Sequence, residues 1–547
     1  MTLPAGCSPL VAPALKSVAN SLLAAPESAK IGTMNSPDLP GRAPRAGTLP
    51  VRRRLARAFI LAVAGAILLV AARAQEPAAK AVGPPVPAGL DGQWLGTVQH
   101  GTEAAEVGFE FTRQPDGRVL AREWMPEINA YGATVGWVHF DGAHFSIPES
   151  NINFVLENGT LAGTSLWLPS LTFTARATQQ LPVEAPVPEV PAGPEPAWTY
   201  RGGAAFWGSP VVAGDTVYLG DAAGKFHAVG TADGRPRWVH DAGSAVFGTA
   251  AVTSDGVLFT TDRGELVKLD PATGTERWRA TIGGADVKRS LPSPEGPEWD
   301  SLAAAPVVDG GTVFVGSADG AFRALDAANG KVRWLFQTGG KIRAAALASG
   351  ARVFVGSMDH FVYALDRATG AEAWRFDTGS PVTTAPVAAG HRIVIGTRDQ
   401  SLLYSLDAAS GKTAWTDFYW LSWVESAPAL VDGLLYIGSS DCRRVRVIEP
   451  ETGRVRWAAQ VWGWTWGTPL VVGDTVYFGT AGAAHYFITQ RPSLGALDRA
   501  TGKLKWRRPL ALSPAAYVGG VSGSLARAGN RVIAAQLDGT LVAYPIK

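Results

Sequence analysis

Tryptophan recurs at nearly regular intervals over the C-terminal two thirds of the 547-residue chain, and this repeat constrains the fold more than any other feature. Most successive anchor tryptophans are separated by 40 to 42 residues. The anchors are Trp198, Trp238, Trp278, Trp334, Trp374, Trp415, Trp457 and Trp506. A period near 40 residues is typical of β-propeller blades, each of which is a four-stranded sheet.

Residues 305–334 show what one repeat contains. An apolar strand at 306–309 is followed by a glycine turn and by residues 312–317, whose consecutive apolar side chains indicate a strand covered on both faces. Asp319-Gly320 predicts a hairpin into a third strand, and residues 327–330 turn the chain into a fourth strand that ends at Trp334. Each repeat is therefore predicted to form one antiparallel blade.

The two ends of the repeat region predict how the ring closes. Residues 197–200 resemble a fourth strand without three strands before it, and residues 521–546 supply three strands without a fourth. Pairing the two incomplete units gives eight blades and removes the open sheet edges at which β-sheets aggregate. We therefore predict an all-β protein in which residues 197–547 form an eight-bladed β-propeller with terminal-strand closure.

The repeated sequence APVVDGGTVFVGSADGAFRALDAANGKVRW at 305–334 resembles the pyrroloquinoline-quinone (PQQ)-type β-propeller repeat. That family includes quinoprotein dehydrogenases and the BamB-like scaffold lipoproteins of outer-membrane assembly. The resemblance covers residues 196–547 and implies the propeller fold. It leaves open whether a cofactor binds, because the repeat builds a blade with or without one.

The N-terminal region predicts export. Residues 1–50 are rich in Ala, Pro and Ser without periodicity, which predicts a disordered extension. Residues 51–74 combine a basic stretch, a short apolar run and a small-residue cleavage site, as signal peptides do, with the true start at Met1 or Met34. Because the apolar run is shorter than a membrane span of about 20 residues, we expect a periplasmic protein of the bacterial cell envelope with no membrane span after cleavage.

Three further segments precede the propeller. Residues 75–89 form a Pro/Ala linker, and residues 90–180 alternate in strand-like pieces that predict a small antiparallel β-domain, either a sheet or a partial barrel. Residues 181–196 contain six prolines and are expected to form a stiff, extended spacer. A net charge of +2 gives no electrostatic footprint for nucleic acid, and two cysteines cannot form a disulfide framework.

Candidate binding residues lie at the positions that vary between blades at the start of each innermost strand. Counting three or five residues back from the proline of that strand, or from its equivalent, gives side chains that strand alternation places on one face. These channel-mouth candidates are Trp207, Phe247, Lys341, Arg343, Thr383, Trp423, Glu425, Trp464 and Trp466. Insertions at 285–300 and 482–492 are expected at the same end. In the alternative interpretation, the aromatic groups plug the channel and the charges pair with one another.

The resemblance also defines what an enzyme would need. Quinoprotein dehydrogenases hold PQQ between an aromatic floor and a vicinal disulfide, with Ca²⁺ on Glu and Asn and with a catalytic Asp. Here Trp464 or Trp466 could stack a cofactor, Arg343 could pair with its carboxylates and Glu425 could ligate a metal. However, the sequence has no adjacent cysteine pair, and Cys442 stands alone among the repeats. We assign no catalytic residue and no metal ligand.

These observations favour an exported, non-catalytic binding or scaffolding protein that needs no cofactor. It would recognise a protein or a small ligand at the channel mouth, and a periplasmic or envelope protein is the expected kind of partner. The alternative is a divergent PQQ-dependent quinoprotein oxidoreductase that uses Ca²⁺ and acts on alcohols or sugars. The basic run of Arg443, Arg444 and Arg446 is expected to be a solvated face, with recognition of an acidic partner as the alternative.

Overall fold

A computed structural model describes residues 84–165, 171–284, 289–293, 299–484, 486, 488–512 and 517–546. The predicted N-terminal extension and signal peptide lie outside the described residues and stay predictions. Within the described part of the chain, no helix is long and apolar enough to span a membrane.

The N-terminal β-domain is a closed barrel of eight antiparallel strands, in which the first strand pairs with both the second and the eighth. Its strands are β1 (Gly92–His100), β2 (Glu103–Arg113), β3 (Val119–Met125), β4 (Ala130–Phe140), β5 (Phe145–Ile147), β6 (Ile152–Glu157), β7 (Thr160–Ser165) and β8 (Leu171–Thr178). Single-turn 3-10 helices lie at Ala88–Leu90, Pro126–Ile128 and Pro148–Ser150. The small antiparallel domain is thus confirmed. The strand β8 alternates buried and exposed residues, as a half-buried strand should.

The C-terminal region is an eight-bladed propeller, and the predicted fold class is confirmed. The strands, first to fourth, are in blade one Val211–Ala213, Thr216–Gly220, Lys225–Gly230 and Pro236–Asp241; in blade two Ala251–Thr253, Gly256–Thr261, Glu265–Leu269 and Glu276–Thr281; in blade three Val307–Asp309, Thr312–Gly316, Ala321–Asp326 and Val332–Gln337; and in blade four Leu347–Ser349, Arg352–Gly356, Phe361–Asp366 and Glu372–Asp377.

The remaining strands are in blade five Val387–Ala389, Arg392–Gly396, Leu402–Asp407 and Thr413–Phe418; in blade six Ala429–Val431, Leu434–Ile437, Arg444–Ile448 and Val455–Gln460; in blade seven Leu470–Val472, Thr475–Gly479, Ser493–Asp498 and Leu504–Pro509; and in blade eight Ala526–Ala528, Arg531–Ala535, Thr540–Pro545 and Trp198–Arg201. Ala481–Ala483 and Val518–Gly520 form an additional two-stranded sheet. The shared eighth blade closes the ring as predicted, because Ala543 pairs with Trp198 and Val542 with Thr199.

The anchor tryptophans and the glycine turns before them are two halves of one inter-blade contact. The turn glycines have φ between +70° and +75°, and a Cβ on each would fall within 3 Å of the anchor ring of the preceding blade. The pairs are Gly234 on Trp198, Gly274 on Trp238, Gly330 on Trp278, Gly370 on Trp334, Gly411 on Trp374, Gly453 on Trp415 and Gly502 on Trp457. Only glycine meets both conditions at little strain, so the repeated turn is required by packing as well as by backbone conformation.

The proline-rich segment 181–196 is not a free spacer. Gly193, with φ +80°, lies on the ring of Trp506 in the position that a turn glycine occupies on the other anchors. The amide of Arg507 donates to the carbonyl of Pro191, and Arg508 pairs with Glu195. The segment therefore packs along the outer strand of blade seven and replaces the missing hairpin of blade eight.

Candidate functional site

Aromatic rings that precede the first strands of blades one, six and seven meet in one cluster. The rings of Trp464 and Trp466 stack with centroids 4.8 Å apart and planes 11° apart. Trp464 is fully buried and Trp466 is 9 % exposed, while Trp423 and Trp207 are half-buried against the same cluster. Four of the predicted mouth residues are thus brought together.

The centre of this cluster is a residue that the sequence interpretation did not select. Trp299, at the end of the insertion between blades two and three, is 4 % exposed. Its ring contacts Trp423, Trp464, Trp466, Tyr486 and Tyr517 at centroid distances of 5.5 to 6.5 Å. Because Tyr486 belongs to the other long insertion, the two insertions contact each other through these rings.

The residue after Trp299, Asp300, neutralises Lys341 and Arg343, which are two of the predicted mouth residues. Arg343 donates from Nε to Oδ1 at 2.7 Å and from Nη2 to Oδ2 at 2.5 Å, and Lys341 donates to Oδ2 at 2.9 Å. The side chains of Arg343 and Asp300 are 7 % and 10 % exposed. Burial alone would raise the pKa of Asp300, but the hydrogen bonds and charges of Arg343 and Lys341 outweigh it and hold the pKa below its ordinary value.

A second buried ion pair supports the main chain of the insertion. Arg398 pairs with Glu425, their side chains being 8 % and 5 % exposed, and donates from Nη1 to the carbonyl of Trp299 at 2.8 Å. Its guanidinium lies 4.4 Å from the ring centroid of Trp423, which is a cation–π contact. Glu425 is therefore committed to an arginine of the neighbouring blade.

The last two predicted residues lie elsewhere on the same end. Phe247 contacts Trp207 at 6.0 Å and carries the guanidinium of Arg289 at 4.2 Å from its ring centroid. Thr383 is buried, and its hydroxyl has no hydrogen-bond partner among the described residues. Neither Phe247 nor Thr383 belongs to the aromatic cluster around Trp299 that includes Trp464.

The first strand of blade eight begins later than the sequence predicts. Residues 521–546 were predicted to supply the first three strands of this blade, but its first strand is Ala526–Ala528. Val521 is fully buried against Gly479, as Val246 is against Gly220. Val521 therefore belongs to the inter-blade set, and the turn before Arg531, which matches the Gly-Asp turns of other blades, is the signal that would have given the correct register.

The basic run of blade six is not a solvated face, and that prediction is wrong. Arg443 is fully buried and pairs with Glu184 of the proline-rich segment, Arg444 pairs with Glu127 of the barrel, and Arg446 pairs with Asp417. The run finds its acidic partners within the same chain because the barrel and the linker pack on the mouth-end loops of blades five to seven.

Apolar contacts complete this junction. Phe418, Trp420, Cys442 and Ile488 of the propeller join the hydrophobic core of the barrel. The ring of His100 stacks on Phe418 with centroids 4.2 Å apart. The barrel is thus held on the propeller by a mixed interface of buried ion pairs and apolar side chains.

Asp441 connects the junction to the mouth. Its carboxylate accepts hydrogen bonds from Trp464 Nε1 at 2.7 Å and from the Tyr486 hydroxyl at 3.2 Å, and its carbonyl accepts one from the Asn129 amide of the barrel. Burial raises the pKa of the Asp441 carboxyl to about 6, and these donors together with Arg443 moderate the rise. One carboxylate therefore contacts the aromatic cluster and the second insertion while its backbone binds the barrel.

The residues that the resemblance offered to a cofactor do not fit PQQ at this mouth. Arg343 is bound to Asp300, Glu425 is bound to Arg398, and the face of Trp464 is stacked on Trp466. Within the described residues, no group of three or more His, Cys, Asp or Glu side chains is arranged as metal ligands are. A planar cofactor would have to displace Trp299 and break both ion pairs.

Solved structures share this fold at low sequence identity. A quinohemoprotein alcohol dehydrogenase from Comamonas testosteroni is 16 % identical with a TM-score of 0.50, over 65 % of this chain and 77 % of that chain. The computationally designed Ika8 protein is 20 % identical with a TM-score of 0.51, over 64 % of this chain and 99 % of its own. BamB from Moraxella catarrhalis is 18 % identical with a TM-score of 0.49, over 64 % and 99 %.

No curated protein matches the sequence. The family model described as outer membrane protein assembly factor BamB matches residues 192–338, 319–461 and 405–547. Because these three matches together cover the whole propeller and well over half of the chain, the protein belongs to the family of PQQ-type repeat propellers described as outer membrane protein assembly factor BamB.

Proposed function

We propose that the protein is an exported, non-catalytic scaffolding protein of the bacterial cell envelope that recognises a protein partner at the mouth end of its propeller. The observation that carries the proposal is that residues around the mouth bind Trp299 in an aromatic cluster and Asp300 in an ion pair. The mouth binds an indole ring, a carboxylate and a main-chain carbonyl, and these are the groups of a polypeptide.

Family membership supports the same kind of role. The matching family is described as outer membrane protein assembly factor BamB. This description and the signal-like sequence at residues 51–74 support a periplasmic location with an envelope partner. The barrel and both long insertions enlarge the mouth end, where long loops supply binding residues in many folds.

The oxidoreductase alternative would use the same residues differently. PQQ, if bound, would supply the two-electron chemistry, with Arg343 on its carboxylates and Glu425 on Ca²⁺. Each of these side chains is buried in an ion pair with another residue of the chain. The alternative therefore requires the mouth to be rebuilt before any cofactor enters.

Two measurements test the proposal. PQQ and Ca²⁺ added to the mature protein are expected to leave tryptophan fluorescence and dye-linked alcohol or sugar oxidation unchanged, whereas saturable quenching with turnover would establish the enzyme instead. A photocrosslinking residue in place of Lys341, whose side chain is 37 % exposed at the mouth, should capture a defined envelope protein in cells. The matched control is Arg235, 86 % exposed on a hairpin at the opposite end, where equal capture would refute recognition at the mouth.

A further inference from the structure

The mouth holds the insertion with side chains that come from distant blades. The insertion connects blade two to blade three, yet Arg343 and Lys341 precede the first strand of blade four, Arg398 lies in blade five and Trp423 precedes blade six. The aromatic wall of Trp464 and Trp466 belongs to blade seven. Side chains from four of the eight blades, blades four to seven, therefore contact Trp299 and Asp300, although the insertion itself connects blade two to blade three.

The bound dipeptide is recognised at three points. The indole of Trp299 enters the aromatic cluster, its carbonyl accepts a hydrogen bond from Arg398, and the carboxylate of Asp300 is bound by Arg343 and Lys341. Aromatic anchors, main-chain contacts and charge-assisted hydrogen bonds are the elements of peptide recognition.

We propose that the mouth is a recognition site for a peptide segment with an aromatic residue followed by an acidic residue, and that Trp299-Asp300 occupies it in cis until a partner's segment of the same chemistry replaces it. The inference rests on the proposed function, because it identifies the chemistry of the partner that docks there. It makes the insertion an intramolecular competitor, which restricts binding to segments that match both features.

The positive charges of Arg343 and Lys341 determine that the second residue of the bound segment is acidic. Arg343 is 7 % exposed, and the mouth places a second cation, Lys341, on the same carboxylate. A neutral segment would leave Arg343 without a counter-charge in a desolvated site, and a buried charge without its partner is strongly unfavourable, whereas Lys341, whose side chain is 37 % exposed, can turn toward water. An acidic side chain is therefore required.

The shape of the space that Trp299 fills determines that the first residue of the bound segment is aromatic. Trp299 fills the space between five aromatic rings, and a small side chain there would leave a void with lost packing contacts. At the base of the insertion, Gly283, Gly284, Arg289 and Arg343 line a small cleft that is open to solvent.

The test uses the full mature chain with Trp299→Gly and Asp300→Ser, which empties the site but keeps the loop. The probe is a fluorescein-labelled peptide with the sequence of residues 297–303, PEWDSLA, followed by fluorescence anisotropy. We expect saturable binding to the variant and much weaker binding to the wild-type protein, whose site is filled. Binding should fall about 30-fold or more for the peptides with Trp→Ala or Asp→Asn.

Arg343→Met in the same background is the control that locates the peptide, and it should reduce binding to a similar extent. No binding to a variant whose circular dichroism matches wild type, or equal binding of the Asp→Asn peptide, would overturn the inference. If the double variant does not fold, excess peptide added to the wild-type protein must accelerate amide hydrogen exchange at residues 299–304, and unchanged exchange would overturn it as well.

These results are separable from those of the proposed function. If the peptide does not bind but the photocrosslinking residue at position 341 still captures an envelope protein, this inference is removed and the proposed scaffolding function remains. Peptide binding that succeeds while no protein is captured keeps the site and removes the proposed partner.

Discussion

Replacing Asp300 by asparagine keeps the size of the side chain but removes the charge that Arg343 and Lys341 share. The Arg343–Asp300 pair is almost fully buried, with side chains 7 % and 10 % exposed. Removing one partner of such a pair costs about 3–5 kcal/mol, because the other charge stays buried without compensation. Lys341 is 37 % exposed and can turn toward water, so its share is at most about 1 kcal/mol.

The loss is expected first in the insertion rather than in the whole ring. The amide of Asp300 donates to the Ser290 carbonyl, so local release of the segment should accelerate hydrogen exchange at this amide before the blades unfold. The free energy of unfolding in urea gives the global effect, and exchange at residues 299–304 gives the local one.

The control is Asp309→Asn, which removes an ion pair with Arg367 whose side chains are 43 % and 28 % exposed. A pair of this exposure is expected to contribute about 0–1 kcal/mol. If Asp300→Asn costs no more than this control, and exchange in the insertion does not change, the mouth is not a desolvated ion-pair site and the reasoning from burial is refuted.

Three further predictions concern other polar contacts. Because burial raises the Asp441 pKa from 3.8 to about 6, the folded state binds this proton more tightly, so wild-type stability relative to Asp441→Asn should fall as the pH rises through that window in urea titrations. Tyr200→Phe removes the hydroxyl that bonds His227 Nδ1 at 2.9 Å and should cost about 1–3 kcal/mol, with faster exchange in the closing strands. Glu184→Gln leaves the fully buried Arg443 without its carboxylate and should cost about 3–5 kcal/mol, measured as earlier proteolysis of the proline-rich segment.

Matched variants control each of these. Asp474 is 86 % exposed, and hydrogen bonds from Thr475 and Lys505 lower its pKa, so wild-type stability relative to Asp474→Asn should rise with pH; a profile that falls with pH as for Asp441 would contradict the role of burial. Tyr218→Phe removes a hydroxyl bonded to Pro271 within the ring, and equal exchange in the closing strands would contradict the closure contact. Glu195, 84 % exposed against Arg508, should tolerate Gln, and equal sensitivity to protease would contradict the buried pairing.

The fold was accessible from sequence because each repeat carries a complete set of local signals. A buried strand, a hairpin and a glycine turn before Trp334 agree with one another, and seven further copies of the anchor place the blades in phase. The turn glycines also pack on the preceding anchors, so the pattern records contacts between blades as well as the conformation within each blade.

The site was only partly accessible, because it depends on non-repeated segments. The lengths of the two insertions predicted that both lie at the mouth end. However, no local sequence pattern indicates that Trp299 and Asp300 fold back onto blades four to seven. The same is true of Arg443, whose partner Glu184 is 259 residues away. Ion pairs between residues so far apart in the sequence do not follow the blade repeat, so the repeat pattern cannot predict them.

The shared blade also has a consequence for the order in which the chain acquires its structure during synthesis. Of the propeller strands, Trp198–Arg201 is made first, and its partner Thr540–Pro545 is made last. Until then the ring has two unpaired edges, whereas the barrel at Gly92–Thr178 is complete and can fold early. The growing chain would therefore present an open horseshoe attached to a finished barrel, and loss of the strand Thr540–Pro545 would leave that horseshoe permanently unsealed.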